Sequence, residues 1–421
     1  MSIKDMLCGI DNCICGKGHS CPIDYIEIGD NALKKLPQIC MQFKRILLVA
    51  DQNTYKAAGE DASKLISNRL EEKLILGSEC ELLIPDEKAL DTIRAKVSDK
   101  TDLIVGVGSG VINDLCKEVS FEKNLPYYII ATAPSMDGYA SVGAALILGG
   151  MKVTLNARPP KAIIADADII RQAPIDMIKA GYGDIIGKFS CLADWKLAAL
   201  LRGEYFCRAV YELTLNTAKA VRTLAKKIAE RNGEAISALM EALVAVGIAM
   251  AYVGNSRPAS GCEHHLSHYF EITGILNAEE YFAHGIDVGF SAVKCAELRE
   301  KMLKSAPEKR TFDKNAWLHE IRRIYSASAD GIISMQEKLG WYNEDDSKAV
   351  TEKWSEVCDI LSEVPTTADF ISMLDEVGLN YSDFETLYGK KKIDDAVLYA
   401  KDLKDRYTIL WLYYTYFREE N

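Results

Sequence analysis

The chain has 421 residues, 48% of them hydrophobic and 26% charged, with a formal net charge of −11. That length allows two or three domains and a large buried core, in the composition of an ordinary globular protein. An acidic chain repels polyanions, which excludes wholesale nucleic-acid binding while leaving room for a local basic pocket that takes one phosphate.

The opening MSIKDMLCGIDNCICGKG lacks the apolar stretch of a signal peptide. The longest apolar run, at 242–254, is too short to span a bilayer and reads as a buried helix. A cytoplasmic protein without a membrane partner is therefore expected. Most of the twelve cysteines, Cys116, Cys191 and Cys295 among them, sit in apolar patterns as small hydrophobes. The exception is a Cys-rich arm at 1–22. There Cys8, Cys13, Cys15, His19 and Cys21 are zinc or iron–sulfur ligand types without the usual C-x2-C spacing. A flexible arm with unpaired thiols is the expectation.

From residue 44 the pattern alternates. KRILLVAD (44–51) reads as a strand ending in Asp51, followed by the helix-like NTYKAAGEDASKLISNRLEEK (53–73). CELLIPD (80–86) leads into EKALDTIRAKVS, TDLIVGVGSG (101–110) into VINDLCKEVSFE, and PYYIIAT (126–132) follows. Two short runs around Gly149 and Gly150, ALILGGMKVTLN (145–156), form a hairpin. KAIIADADII (161–170) adds a buried strand ending at Asp166. After Pro174 nearly everything has helical texture, with Gly, Pro and Asn at the breaks. Residues 1–174 thus read as an α/β domain with a parallel, Rossmann-like sheet and a β-hairpin, and 175–421 as an all-α domain. Ligands in such a sheet sit at the carboxyl ends of the strands, expected to face the cleft between the domains.

VGVGSGVINDLCK (105–117) runs from a strand through Gly106, Gly108 and Gly110 into a helix, whose first N–H groups suit a phosphate. It is not a standard dinucleotide fingerprint, because Val111 stands where the last glycine would be, and it is no Walker loop. On its own it is a pyrophosphate site or a tight turn. ATAPSMDGYAS (131–141) offers hydroxyls at a strand end for a nicotinamide or ribose, or is an Asx-turn capped by Ser135. Asp51, at another strand end, suits an adenosine ribose and would repel a 2′-phosphate.

Three further pieces suggest a metal. GYGDIIGK (181–188) carries Asp184, GCEHHLSH (261–268) carries His264, His265 and His268, and FAHGIDVG (282–289) carries His284. His264 and His268 are i and i+4 and share a helix face, while His265 is turned away. Glu263 precedes the first histidine, so H-E-x-x-H is absent and a zincin protease is excluded. Two histidines beside glycines plus an aspartate suit an open three-ligand site, or are core histidines.

The ordered set GSGVINDLCK, TAPSMDGYAS, GYGDIIGK, SGCEHHLSH and AHGIDVG resembles the sn-glycerol-1-phosphate dehydrogenases, in their bacterial AraM-like branch. These belong to the superfamily of iron-dependent alcohol dehydrogenases, glycerol dehydrogenases and dehydroquinate synthases. The likeness runs from about residue 23 to 300 and is weak in the arm and the last hundred residues. It implies the dehydroquinate synthase-like two-domain fold with NAD, or NADP, and one divalent ion (Zn, Ni or Fe). It assigns Asp51 to the ribose. Gly108, Gly110, Val111, Ile112, Asn113 and Asp114 fall to the pyrophosphate loop, and Thr132, Ser135 and Ser141 to further NAD contacts. Asp184, His264 and His284 would ligate the metal, and Asp137, Asp184 and His268 would meet the substrate. Ser109 stands where many relatives carry a further glycine.

The implied activity is hydride transfer between NAD(H) and glycerol 1-phosphate or dihydroxyacetone phosphate, in phospholipid metabolism, by a homo-oligomer. Lys188 and Arg257 are candidates for the substrate phosphate. Two alternatives stay open. A glycerol or other polyol dehydrogenase would need no phosphate pocket. A dehydroquinate synthase-type lyase would normally carry glutamate in place of Asp184 and a pocket richer in Lys and Arg.

Overall fold

The computed structural model describes residues 2–78, 83–149 and 151–419. The chain forms two compact units, and their division departs from the expected boundary at 174. The first contains Met1–Ile185 and Lys219–Ser256, the second Ile186–Ala218 and Arg257–Asn421. Part of the helical half therefore packs with the sheet.

The first unit is built on β1 (Tyr25–Gly29), β2 (Ile46–Asp51), β3 (Leu70–Leu76), β4 (Leu103–Gly108) and β5 (Tyr127–Ala131), with β8 (Ala162–Asp166) inserted between β1 and β5. The sheet runs β1-β8-β5-β4-β2-β3, and every pairing is parallel. The expected hairpin forms from β6 (Gly143–Leu148) and β7 (Met151–Asn156), which pair antiparallel across a turn that Gly149 enters at φ +60°. Gly150 lies outside the described residues.

One strand differs from expectation. Part of the helix-like run at 53–73 is β3, and the predicted strand at 80–86 lies partly outside the described residues. Within that stretch Asp86 makes an isolated parallel bridge to Ile147. β3 occupies the sheet edge, where only Leu74 and Leu76 are buried. An edge strand needs little apolar content, so its glutamates and lysine read as helix.

The core of this sheet is a run of aliphatic side chains from adjacent strands, Leu48, Val105, Ile130 and Ile164, each fully buried. The chain moves outward from β2 to β3 and then returns to place β4 on the other side of β2. That reversal opens a crevice at the carboxyl ends of β2 and β4, where parallel sheets bind ligands. The register pairs Ala50 with Val107, so Asp51 and Gly108 finish side by side.

The Gly233–Val253 helix is long and apolar enough to cross a membrane by length and composition, yet its most apolar window is 72% buried. It packs against β1 and the Asp137–Ala140 turn within the first unit. The second unit is helical. Its Cys262–Asn277 and His284–Met302 helices pack on each other, and aromatic contacts such as Phe270 stacked on Tyr388 at 4.0 Å fill the space behind them.

Candidate active site

In the first unit, β4 ends at Gly108, Ser109 occupies the cap position, and the Gly110–Glu122 helix begins at once. No side chain caps that helix start. Its first N–H groups therefore point to the crevice with the positive end of the helix dipole behind them, as an anion requires. Val111 is partly exposed, whereas Ile112 and Asn113 are buried.

Several of the predicted cofactor contacts also hold the site together. Asp114 accepts the Asn113 amide at 3.0 Å and the Ala145 N–H of the hairpin at 3.1 Å. Asn113 accepts the Tyr127 hydroxyl. Lys117, unmarked by sequence reading, is fully buried. Its Nζ donates to the carbonyls of Gly138 and Gly143, both at 2.9 Å, and to Ser141 Oγ at 3.3 Å. Burial lowers the Lys117 pKa, against the opposing pull of Asp114 and Asp137. Its position three residues after Asp114 puts both on one helix face, and that spacing was the available signal.

Asp51 caps the following turn: Oδ1 accepts the Thr54 N–H at 2.8 Å, and the Asp51 N–H returns to Thr54 Oγ1 at 3.0 Å. A carboxylate held this way still has a second oxygen for a ribose hydroxyl. The Thr132 N–H continues the β4 ladder by donating to Gly108 O at 3.1 Å. Ser135 is partly exposed on the same loop, and Ser141 Oγ donates to Gly138 O at 2.9 Å. At the end of this loop Asp137 meets Asp184, whose Oδ2 accepts the Asp137 N–H at 3.0 Å. Asp184 is fully buried on the Ile175–Ile186 helix. Two predicted substrate contacts are thus joined directly.

In the second unit three histidines converge. The His264 and His284 rings are 5.2 Å apart, His268 and His284 5.4 Å, and His264 and His268 6.2 Å. His264 and His284 offer ring nitrogens within 4.8 Å of each other. Each is oriented from behind. His264 Nδ1 donates to Glu263 Oε1 at 2.7 Å, and His284 Nδ1 lies 3.3 Å from Ser267 Oγ. With both Nδ1 atoms engaged, the Nε2 atoms are the ones that could ligate an ion, as in carboxylate-backed metal histidines. The donor set fits a divalent ion.

Glu263, which in sequence is only a glutamate on the wrong side of a histidine for H-E-x-x-H, holds the neighbouring ring. Burial opposes its charge, but the hydrogen bonds from His264 and Gly261 hold its carboxyl below the usual value. Glu263→Gln keeps an acceptor but loses the charge, so metal affinity is expected to fall by about 10–100-fold in a competition titration.

His265 points elsewhere. Both its ring nitrogens are buried without a hydrogen-bond partner among the described residues. Burial and then Lys404, Arg406 and Arg257 push it well below the usual histidine value, which favours the neutral ring. Of the two candidates for the substrate phosphate, Lys188 is fully buried with Nζ on the Ala259 carbonyl at 2.9 Å. Arg257 makes a two-pronged pair with Glu204 and donates to Tyr407 O at 2.9 Å. Both are built into the fold.

A family model described as iron-containing alcohol dehydrogenase matches residues 27–174. The chain is 31% identical over 405 residues to a glycerol-1-phosphate dehydrogenase (NAD(P)+) of Halalkalibacterium halodurans, covering 95% of this chain and 94% of that protein. It is 35% identical over 340 residues to the enzyme of that name from Geobacillus thermodenitrificans, covering 76% and 83%. Among solved structures, an alcohol dehydrogenase from Oenococcus oeni matches with a TM-score of 0.60 over 95% of both chains at 13% identity, a likeness of fold.

Proposed function

The chain belongs to the glycerol-1-phosphate dehydrogenase family, and from that membership we propose that it transfers hydride reversibly between NAD(P)(H) and carbon 2 of sn-glycerol 1-phosphate or dihydroxyacetone phosphate. The observation that carries this reading is the pair of back-oriented histidines, His264 and His284, beside His268. We assign Asp184 as the third ligand, on its buried carboxylate and its place in GYGDIIGK.

When bound, a divalent ion supplies Lewis acidity toward a substrate oxygen and the dinucleotide supplies the hydride. The chain's own residues bind and orient. Asp137, fixed by its N–H bond to Asp184, accepts a substrate hydroxyl. His268, one turn after His264, holds the reacting hydroxyl and relays its proton. The open N-terminus of the Gly110–Glu122 helix takes the pyrophosphate. Asp51 takes the adenosine ribose hydroxyls, and its charge disfavours a 2′-phosphate, so NAD is preferred over NADP.

For the substrate phosphate we assign Arg406, with Lys404 beside it. Arg406 is partly exposed and donates to Ser260 O at 2.9 Å. Burial and then Arg257 push it down to about 10, against the opposing pull of Glu204 and Asp405, and a bound phosphate would favour its charged form. A charged hydrogen bond of this kind is worth about 1.5–3 kcal/mol. Arg406→Gln is therefore expected to raise KM for dihydroxyacetone phosphate by about 10–100-fold while sparing turnover of dihydroxyacetone. Wild-type enzyme that prefers the unphosphorylated ketone would instead make it a polyol dehydrogenase. The net charge of −11 and the buried Gly233–Val253 helix support a cytoplasmic enzyme without nucleic-acid or membrane partners.

A further inference from the structure

None of the residues assigned to hydride transfer lies in the Cys-rich arm, yet the arm is folded into the first unit. Met6, His19 and Ile23 are buried, and the backbones of Ile10 and His19 exchange two hydrogen bonds of 2.9 Å that close the segment into a loop. Gly9 permits the closure: at φ +77° a Cβ on it would stand 2.4 Å from the His19 carbonyl oxygen. Inside the loop the Gly16 N–H turns back to Cys13 O at 2.9 Å.

Closure gathers ligand types. The donor atoms of Cys13, Cys15 and His19 lie within 4.8 Å of one another, and Cys15 Sγ is 3.3 Å from His19 Nε2. A tetrahedral zinc with ordinary Zn–S and Zn–N bonds holds its sulfur and nitrogen ligands about 3.5 Å apart. The imidazole is set for this role. His19 Nδ1 is 2.9 Å from the Tyr252 carbonyl oxygen, which can only accept, so Nδ1 carries the proton and Nε2 presents its lone pair toward the sulfur. The ring also stacks on Tyr252 at 5.6 Å, which fixes its plane. Iron–sulfur clusters as a rule take four thiolates; two thiols and a carbonyl-anchored histidine suit a single zinc.

We propose that Cys13, Cys15 and His19 bind a zinc ion, separate from the catalytic metal, that pins the arm to the Gly233–Val253 helix. Binding turns the two thiols into thiolates with release of their protons, and no oxidation state changes. C-x-C followed by histidine four residues on is short for a zinc site in sequence, and only the Ile10–His19 closure brings the third ligand in.

Cobalt loading of the full-length protein separates the two proposed metal sites, because cysteines are assigned to the arm site and none to the catalytic one. Thiolate-to-cobalt charge-transfer absorption is expected in the wild type and in His264→Ala. It should vanish in Cys13→Ser/Cys15→Ser. Zinc content should fall by one equivalent in the cysteine variant, whereas His264→Ala should lose one equivalent of divalent metal and keep the arm's zinc. A cobalt-loaded wild type without thiolate absorption, or a cysteine variant with wild-type zinc content, would overturn the proposal. Neither result bears on hydride transfer, which turnover of dihydroxyacetone phosphate reads separately.

Discussion

Changing His264 to alanine is expected to remove the catalytic metal and lower kcat/KM by about a thousandfold or more. Electrophilic assistance by a metal is worth several kcal/mol at a developing alkoxide, and each 1.4 kcal/mol is a factor of ten in rate. The loss should follow metal content, since His264 and His284 have their Nδ1 atoms engaged by Glu263 and Ser267 and on the proposed assignment would give Nε2 to the ion. The fold should survive, because alanine is the best helix former and the Cys262–Asn277 helix is anchored elsewhere, by the Cys262 N–H on Asp194 at 2.7 Å. A modest drop in melting temperature is expected, because Glu263 keeps its bond from the Gly261 N–H but loses its histidine. Elemental analysis and steady-state assay decide the matter: wild-type metal content, or undiminished turnover after stripping metal from the variant, would show that the assigned site is wrong.

Gly181→Ala should damage the enzyme from outside the ligand set. A Cβ there would lie 1.8 Å from the Pro134 carbonyl oxygen and 2.9 Å from its carbon, both backbone atoms that cannot swing away. Either the Ile175–Ile186 helix or the loop at 132–141 must move by more than an ångström. Overpacking of this kind costs about 1–3 kcal/mol. The displaced loop carries Asp137, and the displaced helix carries Asp184, so their 3.0 Å bond is stretched. Misplacement by about 1 Å costs roughly a hundredfold in rate, and a kcat loss of that order, together with a lower melting temperature, is the expected result. Gly247 presses on the same loop from the Gly233–Val253 helix, where a Cβ would meet Asp137 O and Ala140 Cβ at 2.8 Å. Gly247→Ala should therefore reproduce the defect. A Gly181→Ala enzyme with wild-type kcat would mean that loop position does not limit the chemistry.

The parts of the molecule legible in the sequence are those with dense local pattern. β4, the glycine turn and the Gly110–Glu122 helix follow one another without a gap, and apolar run, turn residue and helical period all agree there. The Gly149 hairpin is legible for the same reason. β3 was not, because an edge strand carries charge on its open face and so loses the apolar signature of a strand. Among site residues, His264, His268 and His284 stand out by type and spacing. Glu263 and Lys117 do not: one acts through the Nδ1 of its neighbour His264, the other through carbonyls more than twenty residues away. Such roles belong to three-dimensional proximity. The expected boundary at 174 followed a change of texture, whereas the chain returns to the first unit at Lys219–Ser256.

That return sets an order on the protein's biogenesis. The eight strands among the described residues leave the ribosome with the first 166 residues, but the helix that packs on β1 and the Asp137–Ala140 turn ends only at Val253. During the interval β1 and that turn wait without their apolar cover, and transiently exposed apolar surface of this kind is prone to aggregation and to chaperone capture. A fragment cut at residue 174 would keep that state permanently, so dissection of this enzyme into halves has to carry 219–256 along with the strands.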